Sequence, residues 1–196
     1  MPPKSKFTRK EIITAAVAVA QEKGMDAVTA RGVAARLGAS PKVIFGLFQN
    51  MEELQDEVMQ AAHRIYQGYI TGGSSQYPPY KASGMGYILF AKEEKELFKL
   101  IFMRDRTGEP VSDDQEELAP ILAMIQQSTG MTRERAFFFH LEMWVFVHGI
   151  ATMLATNYLQ WEDGMISNML TDAFEGVKAR FLGGGQHDSD KDSRTG

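Results

Sequence analysis

A chain that carries TARGVAARLGASPKVIFGLF over Thr29–Phe48 has few ways to fold that stretch. Thr29 is an N-cap candidate, because its hydroxyl can accept from the free amides of a first helical turn. Val33, Ala34 and Leu37 then recur at the spacing of one buried helical face. Gly38 falls where this helix should stop, and glycine tolerates the left-handed backbone that a stop demands. Ser40 is placed to cap a second helix, and Pro41 fits its first position, where the missing N–H costs nothing. Val43, Ile44, Leu47 and Phe48 give that helix an apolar side. Two short helices around a tight turn are the grammar of a helix-turn-helix. An ordinary pair of packed helices would meet the same spacing.

Charge separates this end of the chain from the rest. Residues 1–50 hold eight Lys/Arg and three acids, a net +5, while the other 146 residues hold 13 basic and 22 acidic groups, a net −9. A basic end on an acidic body suits a DNA-reading head joined to a part with another task. Lys4 and Lys6 alone would also suit a solubilising tail.

No strand alternation or repeat is present, so an all-α fold is expected. Ile12, Ile13, Ala16, Val17 and Ala20 mark a first helix, entered at Phe7 or Thr8 and closed by Gly24. Asn50 can cap a fourth helix, with Glu52 and Glu53 favouring its positive end. Its stripe of Leu54, Val58, Ala61, Ile65 and Tyr69 would tie the head to the body. TGGSS at 71–75 and Pro78-Pro79 break the chain. Two helices, or one bent helix, are expected over 80–104, then a polar loop over 105–113. A helix starting at Asp113 or Asp114 should end at Gly130. Thr132 should cap a long helix that is apolar nearly all round, which needs cover on several sides. A last helix, about Glu162–Leu182, should follow. The domains are thus read as a head over 1–50, a helical body over 51–182 and a disordered tail over 183–196.

Several chemistries are excluded or unsupported. There is no cysteine, hence no disulfide and no thiolate metal site. His140 and His148 lie ~12 Å apart along one helix, too far for one metal ion to bind both directly. No phosphate loop and no Ser–His–acid set is apparent. No enzyme activity, cofactor or metal is expected, although scattered catalytic residues in an all-α body would leave no such trace. The apolar helix over Phe137–Leu154 carries Glu142 and His148 and reads as a buried helix, not a membrane span. The N-terminus lacks the apolar core of a secretory leader, and a cytoplasmic protein is expected.

Residues 7–54 resemble the DNA-binding domain of the TetR family of bacterial regulators. FTRKEIITAAVAVAQEKG is similar to its first helix, ARGVAARLG to its second, and ASPKVIFGLFQNMEEL to its turn, recognition helix and exit. The recognition stretch departs from the family at three places. Lys42-Val43 stand where Gly-Thr is usual, Phe45 where Tyr is usual, and Met51 where Lys is usual. Further on, WVFVHG resembles the Trp-x-x-x-His-Gly signature of one TetR subgroup, and YILFAKEEKELFKLIF its earlier body helices.

The resemblance implies a homodimeric, ligand-responsive regulator of double-stranded operator DNA, a repressor by expectation. Thr29, Arg31, Ser40, Pro41, Lys42, Phe45 and Gly46 are the expected DNA-facing residues, with the Lys4–Lys10 arm. Phe90, Phe98, Phe102, Met103, Met124, Trp144 and His148 are the expected lining of a pocket for a small-molecule effector, though each also suits a plain core. Ile166, Leu170, Ala173, Phe174, Val177 and Phe181 form a stripe expected at the dimer seam, unless it packs on its own chain. The alternative is a dimeric small-molecule-binding protein whose head no longer reads DNA.

Overall fold

The computed structural model describes residues 7–72, 75–105, 107 and 118–183. Among them are nine α-helices, one short 3₁₀ turn and no strand. The first helix, α1 (Arg9–Lys23), starts at a reciprocal cap. The Glu11 amide donates to the Thr8 hydroxyl at 3.2 Å, and the Thr8 amide donates to the Glu11 carboxylate at 2.7 Å. Gly24, at φ 78°, ends it. After the turn Met25–Ala27, Thr29 caps α2 (Ala30–Arg36) by accepting from the Gly32 amide at 3.0 Å. Gly38 takes φ 60°, and the amides of Gly38 and Ala39 close back on the carbonyls of Ala35 and Ala34. This paired closure seals the end of α2.

The next element is shorter than its apolar spacing implies. Only Lys42–Phe45 are α-helical (α3), and Pro41, not Ser40, stands at the cap position without a side-chain cap. The turn opens with three-residue closures, Val43 onto the Ser40 carbonyl and Ile44 onto Pro41. The Ser40 hydroxyl therefore caps nothing.

Asn50 caps α4 (Met51–Thr71) by accepting from the Glu53 amide at 2.8 Å. Then come α5 (Pro79–Glu93), α6 (Lys95–Phe102), α7 (Ala119–Thr129), α8 (Arg133–Ala155) and α9 (Asp163–Gly183). The expected start of α7 at Asp113 or Asp114, most of the 105–113 loop, the N-terminal arm and the tail lie outside the described residues. Gly130 at φ 72° ends α7, and Thr132 caps α8.

One core runs from head to body without a break. Ile12, Val33, Ile44 and Phe48 of the head join Leu54 and Val58 of α4, then Phe90, Phe98, Ile150 and Leu154. On α4 the fully buried third position is Ala62, one residue beyond the expected Ala61. A second core, of Leu122, Ile125, Met131, Phe139 and Met143, joins α7 to α8. By length and composition α8 could cross a membrane. Here it packs against α5, α6, α7 and α9.

The stripe on α9 packs on its own chain, the alternative reading to a dimer seam. Ile166 and Leu170 are 1% and 3% exposed. Ala173, Phe174, Val177 and Phe181 cover the second core, with the Phe174 ring 5.3 Å from Phe139. A second core beside α8 needed a lid, and α9 supplies it.

Candidate DNA-reading head and aromatic body site

In the head, burial sorts the residues of the turn into two faces. Val33, Ala34, Ile44 and Phe48 are buried, while Thr29, Arg31, Ser40, Pro41, Lys42, Phe45 and Gly46 are all exposed. Phe45 is 54% exposed. Thr29 accepts through its oxygen in the cap, so its O–H remains a donor.

Ion pairing sorts the head's cations in the same way. Arg9 donates to Glu53 and Glu57, both at 2.8 Å, and to the Leu47 carbonyl, and lies 4.2 Å over the Phe48 ring. It fixes the end of the recognition turn against α4. The Gln49 amide, and then Arg9, hold the Glu53 carboxyl below the usual carboxylate range. Arg36 pairs with Glu22 at 2.6 Å. Arg31 and Lys42 have no ion-pair partner among the described residues. Met51 and Val43, two of the departures from the family pattern, are partly buried and pack against the core.

In the body, Phe90, Phe98, Phe102, Trp144 and His148 do converge, from α5, α6 and α8. Phe98 lies 5.2 Å from Phe102 and 5.8 Å from His148, and Trp144 stacks on His148 at 5.0 Å with 20° between the planes. Phe90 and Phe98 are fully buried, whereas Trp144 is 39% exposed. Met103 is exposed at the end of α6. Met124 lies apart from these rings, on α7 beside the second core.

Two tyrosines complete the cluster, and no single-helix pattern identifies them. Tyr66 of α4 packs 5.1 Å from Phe102, 5.4 Å from Phe90 and 5.8 Å from Tyr87. The Tyr87 hydroxyl of α5 lies 2.9 Å from His148 Nδ1. A parallel pair lies further along the same two helices, Tyr80 to His140 Nδ1 at 3.1 Å. Tyrosines seven apart on α5 facing histidines eight apart on α8 each span about two turns. That matched spacing was the available signal. Burial pushes both histidines down from 6.5 and holds both neutral. It pushes Tyr66, Tyr80 and Tyr87 well above the usual phenol range.

Outside these sites, α8 and α9 show a face that nothing among the described residues covers. Phe138, Leu141, Val145 and Met153 are exposed on α8, and Met165 and Leu182 on α9. Between them, a Cβ added at Gly149 or Gly176 would meet nothing within 4 Å. Among the described residues, no group of three His, Cys, Asp or Glu could hold a metal ion.

Residues 12–58 match the family model for bacterial regulatory proteins of the tetR family. Residues 80–175 match that of the tetracyclin repressor-like C-terminal domain. No curated protein matches the chain.

Proposed function

The chain belongs to the tetR family of bacterial regulatory proteins and is a DNA-binding transcriptional regulator, and we propose that it is a homodimeric repressor released by a small, largely apolar ligand. The observation that carries this reading is the course of α4. It leaves the recognition turn at the Asn50 cap, shares the head core through Leu54 and Val58, and ends with Tyr66 and Tyr69 against Phe90. A ligand that reorders the rings therefore acts on the helix that carries the head.

Two heads in a dimer would enter successive major grooves, about 34–36 Å apart on B-DNA. Arg31 and Lys42, without acidic partners among the described residues, would neutralise phosphate. Ser40 and Thr29 would donate hydroxyls to it, and Phe45 offers an apolar surface suited to a thymine methyl. The exposed α8–α9 face would form the seam, with Gly149 and Gly176 allowing close approach. The ligand shifts the equilibrium only by its differential affinity for the two states.

Operator binding with and without ligand tests the proposal. Release of a specific DNA fragment when the ligand fills the body site is the expected result. The single-turn α3 favours a second reading, a dimeric ligand-binding protein with a degenerate head; that reading predicts no sequence-specific fragment at all.

A further inference from the structure

A groove between α1 and α4 lies apart from the body rings. Its floor is apolar, made by Ile13, Val17 and Ala18 of α1 with Ala61 of α4. Each is the sequence neighbour of a residue that the core takes, Ile12, Ala16, Val19 or Ala62, and each stays half-buried. Small side chains at 18 and 61 leave the space between the helices open. The groove has a volume of about 630 Å³. Small-molecule sites have volumes of roughly 300–1,000 Å³. The lining spans about three turns of α1, and a partner helix of that length, about 10 Å across, would occupy roughly twice the volume.

Charge at the rim is one-sided. Arg9, Lys10 and Arg64 line the groove, and among the described residues no acid does. Two carboxylates near Arg9, those of Glu53 and Glu57, are held by its guanidinium. A third, Glu94, accepts from the Gln21 amide at 2.9 Å. Lys10 and Arg64 are exposed and have no ion-pair or hydrogen-bond partner among the described residues. A small inorganic anion would leave the apolar floor wet, and a cationic amphiphile would be repelled at the rim. We propose that this groove binds a single-chain amphiphilic anion of the fatty-carboxylate class. Its chain would lie along Ile13, Val17, Ala18 and Ala61, with its head group at Lys10 or Arg64. Arg9 also donates to the Leu47 carbonyl, so the site adjoins the recognition turn. The proposal does not depend on the body being the sensor.

The test is calorimetry on the full-length chain with decanoate, decanol, decyltrimethylammonium and butyrate, each below its micelle concentration. Decanoate should saturate, and should bind at least about tenfold more tightly than butyrate, which lacks most of the chain. It should bind about five-fold more tightly than decyltrimethylammonium. Lys10→Ala/Arg64→Ala should weaken decanoate about five-fold, the upper worth of an exposed ion pair, and leave decanol unchanged. Ala61→Phe, which fills the floor, should weaken decanoate and decanol alike, by about tenfold. Circular dichroism checks that each variant is folded, and the two exposed cations can be removed without touching the core. Three results overturn the proposal: no saturable decanoate binding, decyltrimethylammonium binding as tightly as decanoate, or decanoate affinity unchanged in Lys10→Ala/Arg64→Ala. Each of them leaves the sensing role of the body standing.

Discussion

Gly86 and Tyr69 meet backbone to backbone: a Cβ on Gly86 would lie 2.2 Å from the Tyr69 carbonyl oxygen. This is a close approach of α5 to α4, and it sits one residue before Tyr87. Gly86→Ala must push the two helices apart. Overpacking of this kind costs about 1–3 kcal/mol. Urea unfolding should show the loss; a variant as stable as the wild type would mean that α4 and α5 do not touch there.

The two classes of head cation should separate in experiment. Arg31→Ala and Lys42→Ala should each lower operator affinity and flatten the salt dependence by about 0.9 units for each phosphate no longer neutralised. Neither should change the melting temperature. Arg9→Ala should lower the melting temperature instead, because it frees the recognition turn from α4. A salt slope unchanged in Lys42→Ala would remove that residue from the DNA face.

Assembly should depend on the uncovered face and not on the α9 stripe. Val145→Glu is expected to yield a folded monomer by light scattering. Phe174→Glu places a charge between Tyr80 and Phe139 and should unfold the body, since an unpaired buried charge is strongly unfavourable. A wild type that is monomeric at micromolar concentration contradicts the dimer.

The two Tyr–His pairs predict acid sensitivity. Both histidines have folded values below the unfolded 6.5. Below that pH the unfolded chain binds more protons than the folded one, so stability falls as pH drops from about 6.5. The carboxylates of Glu11 and Glu53, also shifted down, act only below about 4.5. Unfolding free energy should therefore decline between pH 7 and 5.5, and the decline should flatten in His140→Gln/His148→Gln. A pH-independent wild type over that range would show that the histidines are not held neutral.

The parts of this fold that were legible in the sequence are the local ones. Thr29, Asn50 and Thr132 cap where their side chains and the following pattern indicate, and Gly24, Gly38 and Gly130 end helices through positive φ. These signals act within one turn of chain. Ser40 misled because Pro41 takes the cap position and the turn opens with tighter closures. The α9 stripe left two readings open for a different reason. Periodicity says that an apolar face must be covered, not whether its own chain or a partner covers it. Tyr66 and Tyr87 were missed because their role exists only where α4, α5, α6 and α8 meet. Phe98 and His148 drew notice in the sequence because each lies in an apolar run that stands out by itself.

Selection of genomic DNA fragments by the purified protein, with sequencing of those retained, is the most direct test of the regulator reading. The expected result is enrichment of a pseudo-palindromic site whose half-sites lie about 10–10.5 base pairs apart or a multiple of that, with the enrichment lost in Lys42→Ala. Retention without sequence preference, or no retention at low salt, would contradict it.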